Sequence, residues 1–468
     1  MKLRLGRIAE ILGATGEFDA NAVAQGYSLD SRGIKPGELF FAVKGERLDG
    51  HDFVEAALAN GAVAAVVNRS FIAPSPSGKG AAPTKKLIVV DDTLAALQKL
   101  AATVRREWGK PVVAVTGSAG KTTTKELIAT VLGTKYNVLK TEGNFNNHFG
   151  LPLQVLRLEP EHDIAVIELG MSHTGEITEL ARIAQPEYGV VTNVAPVHLG
   201  HFASVAGIAK AKQELVDALP ATGTAILNAD DEYVSKFGQR FEGKIVMYGI
   251  TMPADVRAER VEQRGQDGSA FDAVVGCARQ AVELPLIGKH NVYNALAAIA
   301  VGLQRGINST DAAAAIGGIK AVDKRGQIIE IAGATVINDC YNSNPRALDS
   351  MVDALAGMTP GPGGRRILVA GEMLELGPAG EDLHRRCGVH AVERGVDVVI
   401  GVRGLGKAIV DGARQNSTKS EFAETPEIAG EWLAREVKPG DVVLLKASRG
   451  VKLERAIETW KAKLVPST

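Results

Sequence analysis

The sequence predicts an α/β fold in three domains. The chain has 468 residues, too many for one core, and roughly two to four domains are expected at that length. From Pro111 onward, short apolar runs alternate with stretches of helical spacing, the pattern of strands and crossover helices in a parallel sheet. Aromatic residues make up only 5% and glycines number 52, which suits many tight strand-to-helix turns.

The first hundred residues carry three apolar runs, "ELFFAVKG", "GAVAAVVN" and "KLIVVDD". Each reads as a short strand. A Pro/Gly/Ser-rich stretch, "APSPSGKGAAPTKK", interrupts them and reads as a flexible loop. "TLAALQKLAATVRREW" has helical spacing and links to the next domain. "PVVAVTG" then reads as a buried strand, and "KTTTKELIATVL" as a helix with Leu127, Ile128, Val131 and Leu132 on one face. "DIAVIELG", "YGVVTNV" and "TAILNADD" are further apolar runs with polar endings. Those endings matter, because ligands of open α/β sheets bind at the C-terminal ends of strands. A basic break at Ala321 to Arg325 precedes "GATVINDCYNSNP". After "MTPGPGGRR" the alternation resumes with "ILVAGEM", "VDVVIGVRG" and "DVVLLKASRG". These predict a third domain with its own parallel sheet. No repeat with a period of about 20–50 residues is visible, which disfavours a solenoid.

Net charge is −1, and no block of like charges occurs. Nucleic acid is therefore not expected as a partner, since phosphate backbones demand a basic face. Small anions need only a few local cations. Cys277, Cys340 and Cys387 are far apart and form no C-x-x-C pair. That pattern predicts a reducing, cytoplasmic compartment without structural zinc. "MKLRLGRIAEIL" is too short and too charged for a signal peptide. No apolar run reaches the ~18 residues of a membrane span.

The stretch "TGSAGKTT" carries most of the chemistry. A standard phosphate loop is G-x-x-x-x-G-K-[ST]. Here Val115 occupies the first glycine's place, leaving G-x-x-G-K-T from Gly117 to Thr122. Backbone N–H groups from Gly117 through Ser118, Ala119 and Gly120 to Thr123 would cradle phosphate oxygens. Lys121 would balance β/γ charge, and Thr122 could hold Mg²⁺. The plain alternative is a Gly-rich turn with an exposed lysine; a strand before it and a helix after it disfavour that. Glu168 ends a strand and suits Mg²⁺ as a hard oxygen ligand, or else caps a helix. His198 follows another strand and, taken alone, reads more often as a structural histidine. Asn144, Asn146 and Asn147 form turns or recognise a substrate by directed hydrogen bonds.

Taken together, these residues resemble the Mur ligase family of peptidoglycan synthesis, in order and over essentially the whole chain. "DSRGIKPGELFFAVKGERLDGHDF", Asp30 to Phe53, is similar to the uridine-diphosphate-binding domain of those ligases. The shortened phosphate loop is theirs too. "ELGMSHTGEI" resembles the segment with the Mg²⁺-binding glutamate, here Glu168. "HLGHFASVAGIAKAK" runs from a metal-binding histidine, His198, to Lys212, which matches the family's carbamylated lysine. "GKHNVYNALAA" matches the adenine-contacting pair, Asn291 and Asn294. Within the family, "NDCYNSNPRALDSM" (Asn338 to Met351), "GEMLELG" (Gly371 to Gly377) and "LH" ending at His384 are similar to the ligase that joins D-alanyl-D-alanine to a UDP-N-acetylmuramoyl-tripeptide. The family more often has Asp at Glu372 and Gly at Ala447. "NPR" at Asn344 to Arg346 is like a motif of the preceding ligase. It directly follows Asp339 here, whereas that motif lies much later in the other enzyme.

The resemblance implies a small α/β UDP-binding domain (1–108), a central P-loop ATPase-like domain with a parallel sheet (109–322) and a C-terminal Rossmann-like domain (323–468). It implies a bacterial cytoplasmic enzyme, expected as a monomer, that uses ATP to phosphorylate a peptide carboxylate for attack by an amine. Lys121 and Arg325 would clamp phosphates. One Mg²⁺ would sit at Thr122 and Glu168, and a second at His198 and a carbamate on Lys212. Asp339 would hold ribose and Tyr341 would flank adenine. Ser31, Arg32, Lys44 and Gly45 would bind the uridine nucleotide, with Asp49 and His51 as weaker candidates. Asn144 and Asn147 would meet the acceptor. The dipeptide site would lie near Asn342, Asn344, Glu372 and Leu376, between the central and third domains. Without ligands, the domains are expected to stand open. The competing readings are a diaminopimelate- or lysine-adding ligase, a folylpolyglutamate synthase, and a nucleotide-driven switch that performs no ligation. The uridine-binding segment disfavours the folate enzyme, and the paired metal positions disfavour the switch.

Overall fold

A computed structural model describes residues 1–72, 84–197, 199–414 and 418–464. Most of the Pro/Gly/Ser-rich loop after Ile72 lies outside the described residues. The first sheet has four parallel strands in the order Gly26–Ser28, Glu38–Phe41, Ala64–Asn68 and Leu87–Val90. The last three are the apolar runs read from the sequence. Helix Thr93–Trp108 comes next, as its spacing predicts. Asp92 caps its start by accepting from the N–H groups of Leu94 and Ala95, and Gly109 ends it at φ 67°. Those are the standard devices for a helix start and stop. Leu97, Leu100 and Val104 are fully buried and join one core running from the first sheet into the central sheet. On the same helix, Arg105 donates to the carbonyls of Ala184 (2.7 Å) and Gln185 (2.8 Å). The linking helix is thereby fastened to the end of helix Glu176–Ala184.

The central sheet has nine strands. Val112–Thr116 lies between Ile164–Glu168 and Tyr188–Val191, parallel to both. The chain runs to one side of Val112–Thr116 for its next two strands and to the other side afterwards. That reversal opens a crevice at the strand's C-terminal end, where "TGSAGKTT" sits. The central sheet is parallel, as expected, except at one edge. Val256–Gln263, Ser269–Val275 and Ala278–Leu284 pair antiparallel in sequence. Their outer faces carry charge, as at Glu259, Glu262, Arg279 and Glu283. No continuous apolar run marks them, so periodicity alone does not reveal them.

The third sheet orders its strands Gln327–Ile331, Ala334–Asp339, Val442–Lys446, Arg366–Gly371, Val398–Val402 and Lys419–Ala423. Five are parallel. The first is antiparallel, contrary to expectation, because a two-residue hairpin joins it to the second. Ala332 (φ 52°) and Gly333 (φ 74°) both take the left-handed conformation that such a turn requires. Asp339, Gly371 and Lys446 end neighbouring strands on one edge. No helix among the described residues is long and apolar enough to cross a membrane.

Candidate active site

A cleft of about 2170 Å³ is lined by strand ends and loops of the central and third sheets and by loops of the four-stranded sheet. Its floor is the phosphate loop. Gly117 has φ 148°, and a Cβ there would lie 1.8 Å from Thr192 Oγ1. Gly120 has φ 83°, and a Cβ would lie 2.7 Å from Asn294 Oδ1. Both glycines are sterically required, whereas Val115 ends no turn and sits buried within its strand. The loop is tied down from behind: Ser118 N–H donates to the Asn193 carbonyl (3.0 Å), and Ala119 N–H to Asn193 Oδ1 (3.0 Å).

Lys121 opens helix Lys121–Leu132 and donates to the Gly117 carbonyl at 2.8 Å. Burial pushes its pKa down; Glu168 opposes that and Arg325 adds to it. Thr122 donates to Glu168 Oε2 (2.8 Å), and Asn146 Nδ2 donates to Glu168 Oε1 (2.8 Å). This buried carboxylate beside a hydroxyl at a strand end is a set of hard oxygen donors that fits Mg²⁺. Among the described residues, no group of three or more His, Cys, Asp or Glu could cage an ion. Mg²⁺ seldom uses such cages, preferring one or two carboxylates with water and phosphate. His198 lies outside the described residues. Lys212, on helix Val205–Asp217, is 2% exposed and lines the cleft. Burial, and then the charge of Lys121, push its pKa well down.

Asn291 and Asn294 project from helix Lys289–Gln304. Asn294 donates to Asn291 Oδ1 (2.9 Å) and accepts from Thr124 (3.0 Å), while Asn291 donates to the Ile287 carbonyl (2.8 Å). The pair thus locks this helix to the phosphate-loop helix and also lines the cleft. His290, in the same motif, lines the cleft as well. Burial lowers its pKa to about 4, with Asp339 opposing and Lys446 assisting. The unfolded chain therefore takes up that proton first. The stability His290 contributes is whole above pH 6.5 and is lost as pH falls towards 4. Melting curves should show Tm dropping across that window. His290→Phe should remove on the order of 2 kcal/mol of the acid sensitivity; an unchanged slope would refute this.

In the first sheet's loops, Ser31, Arg32 and Gly45 line the cleft, and Lys44 does not. Arg32 pairs with Asp30 at 2.7 Å and holds that carboxyl down at about 2. His51 contacts Asp49 through Nδ1 (2.6 Å) and accepts the Asn68 N–H at Nε2 (2.9 Å). That arrangement orders the 44–51 loop from within. Asn144 and Asn147 line the cleft, and Asn147 also accepts the Gly150 N–H at 2.9 Å.

From the third sheet, Asp339 accepts from Lys446 Nζ (2.5 Å) and the Gly326 N–H (3.0 Å). Arg325 lies 4.0 Å over the Tyr341 ring. Asn342 and Asn344 line the cleft. Asn344 caps helix Pro345–Ala356 by accepting from the Ala347 N–H. Arg346, beside it, reaches Asp231 (3.1 Å) and the Val194 carbonyl (3.0 Å), in loops that follow two strands of the central sheet. Glu372 and Leu376 are not on the cleft wall. Glu372 accepts the Leu405 N–H (3.2 Å), and Leu376 is buried in an apolar cluster of the third sheet with Leu348, Met351 and Leu368. His384, fully buried, accepts the Met373 N–H at 2.8 Å and so shapes the "GEMLELG" loop. Sequence reasoning missed Lys446 as a site residue, and it named Asn146 for a turn or a substrate contact, not for its hold on Glu168. Lys446 ends an apolar run, the same signal that selected Glu168.

Fold and cleft define a phosphate-loop enzyme assembled from three α/β units. Three family descriptions match in order: "Mur ligase family, catalytic domain" over 24–105, "Mur ligase middle domain" over 115–302, and "Mur ligase, glutamate ligase domain" over 324–449. The chain belongs to the Mur ligase family. It is 38% identical over 443 residues to the UDP-N-acetylmuramoyl-tripeptide–D-alanyl-D-alanine ligase of Bacillus subtilis, covering 93% of each chain. To the Escherichia coli ligase of that name it is 36% identical, covering 98% of each. Among solved structures it is similar to MurF of Acinetobacter baumannii (TM-score 0.87, 29% identity, 99% of each chain). It is also similar to Thermotoga maritima MurF in complex with ADP (TM-score 0.80, 29% identity, covering 94% of this chain and 98% of that one).

Proposed function

We propose that this enzyme joins the amine of D-alanyl-D-alanine to the terminal carboxylate of a UDP-N-acetylmuramoyl-tripeptide, converting ATP to ADP and phosphate. The observation that carries the reading is one cleft onto which the phosphate loop, the "DSRGIKPG" segment and the "NDCYNSNP" segment all open. Near full-length similarity to ligases of that name supports it.

A carboxylate resists amines because resonance and charge protect its carbon. Attack of a carboxylate oxygen on the γ-phosphorus breaks the bond to ADP and gives an acyl phosphate. The amine then attacks the acyl carbon, loses a proton and expels phosphate. Two anions must meet in the first step, so charge neutralisation is the main demand. Lys121, Arg325 and the loop's N–H groups meet that demand. Thr122 and Glu168 would hold Mg²⁺, which when bound neutralises β/γ oxygens. His198 and a carbamate on Lys212 would hold a second ion. Loss of a proton from the buried Lys212 ammonium would free its amine to add to CO₂, releasing a second proton and leaving an anionic oxygen ligand in place of a cation. Asp339 would take the ribose hydroxyls on exchange from Lys446, beside Tyr341 at the adenine. Ser31, Arg32 and Gly45 would bind the uridine diphosphate. We read the units as domains 1–108, 109–322 and 323–468 of a cytoplasmic monomer in cell-wall synthesis.

The test is phosphate release with ATP, Mg²⁺ and UDP-tripeptide, comparing the dipeptide with single amino acids, with product mass read in parallel. Release and mass gain with the dipeptide alone are expected. Release with diaminopimelate or lysine would move the chain to the preceding step. Release indifferent to any amine would overturn the ligase reading.

A further inference from the structure

Behind the cleft wall lies a charged cluster that the ligation chemistry does not use. Glu454 opens helix Glu454–Leu464. Its Oε1 takes both Lys324 Nζ (3.1 Å) and Arg449 Nη1 (2.5 Å). Its Oε2 is buried without a hydrogen-bond partner among the described residues. The carboxylate's hold on two cations therefore runs through one oxygen. Neither Lys324 nor Glu454 lines the cleft, whereas Arg325, Tyr341 and Arg449 do.

Lys324 is the telling partner. It sits in the connection between the central and third sheets with φ 59°, a left-handed conformation unusual for a residue with a Cβ. Its carbonyl accepts the Tyr341 N–H at 3.1 Å. The turn sends Lys324 back to Glu454 and its neighbour Arg325 forward, over Tyr341. Arg449, held by the same Glu454 oxygen, lies 5.8 Å from the Tyr341 ring centroid. Strained backbone of this kind persists only where its surroundings over-determine it, and the Glu454 ion pair is one such tie. We infer that Glu454 is a positioning residue for phosphoryl transfer. It fixes the connecting turn to the third domain, so that Arg325 and Tyr341 travel as one piece with the third sheet when the domains close on nucleotide.

The inference rests on Arg325 as a phosphate clamp, and the experiment separates the two claims. Glu454→Gln, Lys324→Met and Arg325→Met are compared with the parent enzyme for kcat, for KM of each substrate, and for Tm. Glu454→Gln should lower kcat/KM for ATP by ~10-fold, since small misplacements of a clamp are costly. KM for the UDP-tripeptide should stay unchanged. Lys324→Met should reproduce the loss, and the double variant should be no worse than either single one. Should Glu454→Gln fail to fold, Lys324→Met alone decides. Arg325→Met active within twofold of the parent would sink the clamp itself. A damaged Arg325→Met beside an unaffected Glu454→Gln would overturn only the positioning role. So would losses that fall equally on every substrate and track Tm.

Discussion

Lys121→Met should lower kcat/KM by roughly 10³-fold while leaving the fold intact, because the lysine's charge is needed only when phosphate is present. In the structure its ammonium rests on the Gly117 carbonyl at 2.8 Å, within the loop it serves. Burial and Arg325 already disfavour the charge, and Glu168 favours it. A γ-phosphoryl group would supply the missing counter-charge. Methionine keeps the length and apolar packing and removes only the charge. Tm should therefore hold or rise slightly, while ATP loses its clamp. Steady-state kinetics beside thermal melting reads both, and activity within tenfold of the parent would refute the role.

Lys212→Met should abolish turnover and stabilise the protein. The unmodified amine is buried, with its pKa well below the usual 10.5 because of desolvation and, secondarily, Lys121. The unfolded chain takes up that proton as pH falls below 10.5, before the folded one does. Folding is therefore penalised from 10.5 down to the folded value and at every lower pH. Replacing a buried amine whose charged form desolvation penalises with an apolar side chain should raise Tm at neutral pH in CO₂-free buffer. Lys212→Arg should be equally inactive, since a guanidinium cannot become an anionic ligand. A less stable Lys212→Met, or an active Lys212→Arg, would contradict this account.

How much of the fold was legible depended on the kind of signal each element carries. Helices Thr93–Trp108 and Lys121–Leu132 have the bounds their spacing predicts, because amphipathic periodicity is local. Doubly buried strands such as Val112–Thr116 stand out as apolar runs for the same reason. The antiparallel edge from Val256 to Leu284 was illegible because one face is charged, and only pairing with neighbours makes it a sheet. The hairpin at Ala332 and Gly333 was hidden because Ala rarely takes positive φ.

The site divides similarly. The phosphate loop, Glu168 and Lys212 come together on the cleft, since their positions are set by strand ends and one helix face. Glu372 and Leu376 carried a family pattern but turn away from it. Asn344 and His384 satisfy local backbone groups, a duty invisible until the fold shows which N–H groups need partners. The grip of Lys446 on Asp339 joins residues far apart in sequence, which no local motif can encode.

The central claim is that this cleft phosphorylates a carboxylate. Its most direct test is to supply UDP-tripeptide labelled with ¹⁸O in the terminal carboxylate, together with ATP, Mg²⁺ and D-alanyl-D-alanine, and to weigh the released phosphate. The account predicts one ¹⁸O transferred into inorganic phosphate for each amide formed, with ADP as co-product. Unlabelled phosphate, or label appearing in AMP, would contradict it.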